Sequence, residues 1–278
     1  MKTKTLLAFL AHPDDESFGP GGTLAKYAQE GVDVHIIIAT DGAAGSIEEG
    51  HDANRDNLAT VRAGELERAV KILGGTLHHL NYRDSGMNGD PANQHPDAWI
   101  NTDDKAVVPQ LVGLIREIKP TVILTHNEQG DYFHPDHIRC NAVMLKALPL
   151  AKDETYGSEL GDPYAPERVY ITAFARTWVR VITFLSRLRG QDPTKFGRNE
   201  DIDLTKLGYP RDAITTRVNM LSVWDIKRDA SAEHASQGGG GSRFRFMPQF
   251  LQKQFFKTEQ FIRIVPPAPD GLKENSFF

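Results

Sequence analysis

Two uninterrupted apolar runs open the chain, TLLAFLA (5–11) and VHIIIAT (34–40). Runs without polar alternation suit strands covered on both faces, as in a parallel sheet. The stretch between them predicts a helix over 23–30, stopped at Gly31. A longer helix is predicted over 54–73, where Leu58, Val61, Leu66, Ala69, Val70 and Leu73 mostly follow helical spacing and Gly74-Gly75 ends the pattern. TLHHLNY (76–82) and TVILTH (121–126) read as further strands. Helices are predicted over 103–118, before Pro120, and over 135–148, with proline in the first turn where its missing N–H does no harm.

Strand and helix in alternation predict an α/β fold: a Rossmann-like three-layer α/β/α sandwich with a mainly parallel sheet. Ligands in such sheets bind beyond the carboxyl ends of the strands. Three polar clusters fall there, at 12–16, 41–45 and 126–137. The second half is less regular. It reads as a polar loop (151–166), a strand (167–174), helices over 177–189 and 214–233, and edge strands in RFRFMPQF (243–250) and QFIRIVPP (260–267). QGGGGS (237–242) is taken as a native flexible loop. The aromatic residues Phe250, Phe255, Phe256 and Phe261 are assigned to internal packing. The chain is expected to be one domain over 1–278: an α/β core to about 150, then a C-terminal elaboration that shapes the pocket.

Composition narrows the classes. Of 278 residues, 40% are hydrophobic and 25% charged, which excludes a mainly disordered chain. A formal charge of -5 gives no general attraction for nucleic acid. Arg176, Arg180, Arg187 and Arg189 form a local basic cluster, read as a solvated helix face with an anionic ligand as the alternative. The lone cysteine, Cys140, excludes an internal disulfide and a Cys-based zinc knot. The apolar run at 6–11 is short for a signal peptide and leads into HPDDE without a cleavage site. A cytoplasmic location is therefore expected. No segment approaches the roughly 20 apolar residues needed to span a bilayer, so no membrane partner is expected.

The strongest local feature is A-H-P-D-D-E at 11–16. A buried strand that ends in one imidazole and three carboxylates has no packing explanation. A helix cap accounts for one of those carboxylates, not three. The second feature, H-P-D-H at 134–137, puts His134 and His137 on one side of a helical first turn. Together the motifs supply a His/Asp/His set for catalytic zinc with one position left for water. Such an ion lowers the water pKa towards ~7 and polarises a carbonyl, while a spare carboxylate can remove the proton. There is no G-x-S-x-G elbow. Gly19, Gly21 and Gly22 complete no nucleotide motif. His95-Pro96-Asp97 is given a loop role and His35 a core role. His78 and His79 point to opposite strand faces. His126 is left open between substrate contact and support of the ligands.

AHPDDE with HPDH resembles the PIG-L/LmbE superfamily of zinc-dependent N-deacetylases, which remove acyl groups from N-acylglucosamine-type compounds. VRAGELERAVKILG (61–74) resembles that family's Arg-bearing helix. NYRDSGM (81–87), DYFHPDHIRC (131–140) and EHASQ (233–237) resemble its mycothiol branch, the precursor deacetylase and, more closely, the S-conjugate amidase. The resemblance implies zinc held by His12, Asp15 and His137, with Asp14 as general base. It implies that His134 stabilises the oxyanion and protonates the leaving amine, that Asp136 orients His134, and that Tyr132 polarises the scissile carbonyl. Arg62 and Asp84 are expected to hold sugar hydroxyls, His234 to touch substrate, and Glu16 to support the ligand loop. The implied partner is a small amino-sugar substrate. Fe²⁺ suits the same N/O donors, and a homo-oligomer stays open. Alternatives are a deacetylase of a simple N-acetylglucosamine or chitobiose-like sugar, a metal-dependent phosphoesterase, and a non-catalytic sugar-binding protein.

Overall fold

The computed structural model describes residues 4–196, 200–239, 252–254 and 256–278. Its seven-stranded sheet runs in the order β3-β2-β1-β4-β5-β7-β6. The strands are β1 (Thr5–Leu10), β2 (Asp33–Thr40), β3 (Thr76–Tyr82), β4 (Val122–Thr125), β5 (Arg168–Thr172), β6 (Thr216–Asn219) and β7 (Thr258–Val265). The first five are parallel. β7 runs antiparallel to both β5 and β6. The helices are α1 (Asp15–Phe18), α2 (Gly21–Gln29), α3 (Leu58–Leu73), α4 (Asp104–Ile118), α5 (Gly130–Phe133), α6 (Pro135–Ala151), α7 (Arg176–Leu188) and α8 (Trp224–Glu233).

The unbroken apolar runs are explained by what covers each face. Leu6, Ala8 and Leu10 of β1 pack in one core with Leu24 of α2, Leu66 and Leu73 of α3, and Ala230 of α8. Leu7, Phe9 and Ala11 pack in the other with Leu111 of α4 and Val143 and Met144 of α6. This is the expected three-layer sandwich. β1 lies between β2 and β4, so the chain leaves it in one direction through β2 and β3 and returns on the other side through β4. The loops after β1 and β4 therefore diverge, and the crevice between them is the place where such sheets bind ligands.

Local chemistry sets the ends. Asp103 caps α4 by accepting the Lys105 N–H at 2.9 Å. α3 closes on Gly74 at φ 79°, a conformation glycine adopts without strain. It begins at Leu58 rather than at 54, because Asn54 Oδ1 accepts the Asp56 N–H at 2.9 Å and turns the chain before the helix. The first turn of α2 is capped from the sheet: the Gly22 and Thr23 N–H groups donate to Glu259 of β7 at 2.9 and 2.7 Å.

The C-terminal half departs from expectation in three places. Residues 216–219 form β6, and the helix begins only at Trp224. Thr216 and Val218 alternate inward in the period of a strand, a signal too short to outweigh the helical stretch after it. The strand in 260–267 is interior, between β5 and β6, not an edge. Phe261 is buried against Phe277, but Phe256 is 39% exposed. Phe250, Phe255, the predicted strand at 243–250 and the later part of the glycine run lie outside the described residues. His35 is half-buried and stacks on His78, with Nδ1 and Nε2 3.0 Å apart, while His79 Nε2 faces the Thr40 carbonyl.

Candidate metal centre and active site

The turn after β1 is built from inside. The Ala11 N–H donates to His126 Nε2 at 3.1 Å, tying the ends of β1 and β4 together. Asp14 sits at φ 138°, ψ -26°, outside the regions a side-chain-bearing residue adopts freely. Its N–H donates to Glu16 Oε2 at 3.0 Å. Glu16 is fully buried; its other oxygen meets Ser17 Oγ at 2.5 Å and His234 Nε2 at 2.7 Å. Glu16 thus supports the loop, as expected.

Three ring and carboxylate atoms converge at the mouth of the crevice. His12 Nδ1 lies 3.4 Å from Asp15 Oδ2 and 3.2 Å from His137 Nε2. His137 Nε2 lies 3.3 Å from Asp15 Oδ2. Four ligands arranged tetrahedrally at ~2.0–2.1 Å from zinc stand about 3.3–3.4 Å apart. The near-equilateral triangle therefore has the size of one face of such a site. The far ring nitrogens are engaged too. His12 Nε2 faces Asp136 Oδ2 at 3.2 Å and Asp84 Oδ1 at 3.5 Å, and His137 Nδ1 faces Asp131 Oδ2 at 3.3 Å. A carboxylate on the far N–H fixes the tautomer that leaves the near nitrogen free to bind a cation.

The electrostatics favour positive charge here. Burial pushes Asp15, Asp84 and Asp131 upward, but neighbouring imidazoles outweigh it and hold all three below the usual carboxylate range. Burial lowers His12, yet Asp84 and the hydrogen-bonding carboxylates lift it well above an ordinary histidine. Other groupings of His12, His134 and His137, and of Asp15, His126 and His137, also keep ligand atoms within 4.8 Å. In the second grouping the remaining member, His126, has both ring nitrogens engaged. His126 Nε2 accepts from Ala11, and its Nδ1 meets Asp131 Oδ2 at 2.6 Å. His126 is buried, with its ring held between the Ala11 N–H and Asp131.

His134 is the N-cap of α6. Its Nδ1 accepts the Asp136 N–H at 3.2 Å, so the neutral ring carries its proton on Nε2. Burial, with His12 and His137 beside it, holds its pKa well below the ordinary value. The ring is therefore a neutral N–H donor. The Tyr132 ring packs edge-on to His137 at 5.1 Å and His134 at 5.8 Å. Burial and the surrounding carboxylates push its phenol well above 10, so it also donates. Asp14 turns away from the imidazoles to Arg62, with Oδ2 3.0 Å from Nη2. Burial raises Asp14 to about 6 despite Arg62. Of the two adjacent carboxylates, one faces the ligand set and the other stands beside it.

Four expected roles change. The Asp136 carboxylate does not orient His134: its Oδ2 serves His12 and the Ser85 N–H, and its Oδ1 has no partner. Asp136 orients His134 only through its main-chain N–H. Arg62 does not face a sugar: it is buried, and its guanidinium clamps the Gly42 and Pro13 carbonyls and Asp14. Asp84 is buried, with Oδ1 accepting from Gly86 and Oδ2 from Ala44 at 2.8 and 3.1 Å. His234 has no exposed surface and serves Glu16 instead of a ligand.

Sequence reasoning missed Asp131. It sits at φ 61°, ψ -62°, and takes hydrogen bonds from His126, Asn127 Nδ2 at 2.7 Å and Thr172 Oγ1 at 2.6 Å, besides facing His137. Its signal was present in the quoted segment, as an acidic residue ahead of two histidines, but nothing in the spacing set it apart.

With this geometry in view, comparison with known proteins is informative. A family profile described as PIG-L: GlcNAc-PI de-N-acetylase matches residues 7–148. A curated 1D-myo-inositol 2-acetamido-2-deoxy-alpha-D-glucopyranoside deacetylase from Thermomonospora curvata is 37% identical over 290 residues, spanning 99% of this chain and 96% of its own. Among solved structures, N,N'-diacetylchitobiose deacetylase from Pyrococcus horikoshii superposes with a TM-score of 0.63 at 19% identity, over 94% of this chain and 84% of that one. The 4-carboxy-2-hydroxymuconate hydratase from Pseudomonas putida gives 0.64 at 18% identity, over 97% and 100%. The last two establish the fold alone, and a hydratase among them shows that this fold hosts other chemistry.

Proposed function

The chain belongs to the PIG-L family, and from that premise we propose that it is a zinc-dependent amidohydrolase that removes the N-acetyl group from a glucosamine-type sugar joined to inositol. The observation that carries the reading is the triangle of His12 Nδ1, Asp15 Oδ2 and His137 Nε2, with Asp14, His134 and Tyr132 beside it. Its donor set is two imidazoles and one carboxylate, with far nitrogens already held by carboxylates, which fits zinc. Bound there, zinc would lower the pKa of a water and polarise the acetyl carbonyl.

This chain's own residues supply the rest. Asp14, raised to about 6, takes the proton of the attacking water. The Tyr132 O–H and the His134 Nε2–H donate to the oxygen on which charge develops. Neutral His134 is a weak acid, because its Nδ1 already accepts a hydrogen bond. The proton that the departing amine needs is therefore returned by Asp14. Asp136 and Asp84 hold His12, and Asp131 holds His137. Arg62 keeps Asp14 in place. The C-terminal elaboration belongs to the same domain and supports the pocket, through Thr172 on Asp131 and His234 on Glu16. A cytoplasmic location is part of the proposal, supported by the free, buried thiol of Cys140.

The name of the curated relative favours deacetylation of the acetamido sugar over cleavage of a sugar-thiol conjugate. The test is amine release from zinc-loaded protein. The panel is N-acetylglucosamine, its inositol glycoside, diacetylchitobiose and a bimane-capped mycothiol, with Asp14→Asn as the blank. Preference for the inositol glycoside is the expected result. Preference for the capped thiol reassigns the protein to conjugate cleavage. No release from the panel by zinc-bound protein overturns the substrate class.

A further inference from the structure

One element with strong chemical character has no part in the reaction. Of the described side chains of α7, only Ser186 is buried. Phe184 and Leu188 are 61% and 68% exposed, and Val181, Ile182 and Leu185 are 39–47% exposed. At 100° per residue these five share one broad side of the helix. Arg176, Arg180 and Arg187 fall together on another side. There, with Lys206, they line a groove of about 460 Å³ between α7 and residues 204–207. Residues 176–190 contain four arginines and no acidic residue, in a chain whose net charge is -5. Lys206 pairs with Asp203 at 3.2 Å. Arg180 and Arg187 have no carboxylate partner among the described residues.

We propose that α7 is a membrane-docking helix for anionic phospholipid. The Phe184–Leu188 side enters the boundary between headgroups and acyl chains, and the arginine groove takes a lipid phosphate. Charge decides against the simplest alternative. A two-fold contact through α7 would bury the apolar side but bring no negative charge to Arg180 and Arg187, because the helix carries no acidic residue. An anionic bilayer instead supplies negative charge for the groove and hydrocarbon for the apolar side. A basic polar face, bulky apolar residues opposite and low overall hydropathy are the features of helices that lie in an interface rather than cross it. α7 leaves the sheet after the carboxyl end of β5, the end that carries the metal centre. Docking would therefore hold the site near the headgroups. The proposal does not rest on the assigned reaction.

The experiment is co-sedimentation of the full chain with vesicles of phosphatidylcholine alone or of phosphatidylcholine with phosphatidylglycerol. Binding should occur only with the anionic vesicles and fade as salt rises. Phe184→Asp with Leu188→Asp should abolish it. Arg180→Gln and Arg187→Gln should each weaken it about fivefold. Circular dichroism and the thermal midpoint report whether these variants fold. A variant pair that unfolds is replaced by Phe184→Ser with Leu188→Ser, for which the same loss is expected. Equal binding to both vesicles, or to neither, overturns the proposal. So does a dimer in light scattering that Phe184→Asp splits, since the cover is then a second copy of this chain.

Discussion

Asp131→Asn is the sharpest probe of how the ligand set is held. Asp131 Oδ2 faces His126 Nδ1 and His137 Nδ1, and Oδ1 accepts from Asn127 and Thr172. An asparagine keeps one oxygen and replaces the other with a donor. If the oxygen stays at the Oδ1 position, the new NH₂ meets two ring N–H groups. His126 cannot reverse, because its Nε2 already accepts from Ala11. His137 can, but its proton then moves to Nε2, the nitrogen in the ligand triangle. If the amide flips, its NH₂ meets the Asn127 NH₂, whose own oxygen is committed to the Gln129 and Asp131 N–H groups. Either way a buried donor loses its acceptor, at about 1–3 kcal/mol. In the first arrangement that cost opposes metal binding, and a loss of about 10–100-fold in zinc affinity is expected, or about 1.4–2.7 kcal/mol. Chelator competition measures it, with urea unfolding of the metal-free protein run alongside. Wild-type zinc affinity at wild-type stability would show that Asp131 does not set the His137 tautomer.

Three further outcomes are expected. Asp14→Asn should retain zinc and lose nearly all turnover, read as metal content against amine release; substantial turnover would remove Asp14 as the base. Tyr132→Phe should lower kcat with KM little changed, by about 10²-fold if its O–H meets the developing oxyanion; a change confined to KM contradicts that role. The third concerns His234, which burial lowers but Glu16 raises above its ordinary value on balance. A histidine raised on folding stabilises fully below its unfolded pKa of about 6.5, and the gain is lost as pH rises through the folded value. Urea midpoints of the wild type and His234→Gln should therefore differ most below about pH 6.5 and converge at higher pH; a gap that widens with pH reverses the sign assigned to the pair.

The two motifs that converge on the candidate site were legible because each concentrates several ligand-type residues where an apolar strand or a helix start leaves no packing reason for them. The parallel core was legible for a related reason: β1 and β2 are buried on both faces and show it as unbroken apolar runs. The roles of Arg62, Asp84 and His234 were not. A polar residue near a pocket reads the same whether it meets a ligand or the protein's own backbone. Only the contacts with Gly42, Ala44 and Glu16 decide which. β6 failed for want of length, since four residues of alternation compete poorly with a ten-residue helix beside them.

The buried side chains around the site follow one rule, which bears on why so much of the chain is needed to build it. Asp14 and Asp131 both occupy backbone conformations that cost free energy, as does Phe133 at φ 68°. Each of the two aspartates is held by groups far away in sequence. Asp14 is fixed by Glu16, which depends on His234 at the end of α8, and by Arg62 from α3. Asp131 is fixed by Thr172 at the end of β5 and by His126 after β4. The catalytic motifs are local, but the strain that aims them is stored by the helices on one face and by the strands beyond β1. A fragment ending near 150, although it would carry every candidate ligand, would lack His234 and Thr172. Such a fragment keeps Arg62 on Asp14 and His126 on Asp131 but loses His234 behind Glu16 and Thr172 on Asp131, so each aspartate is held by fewer partners.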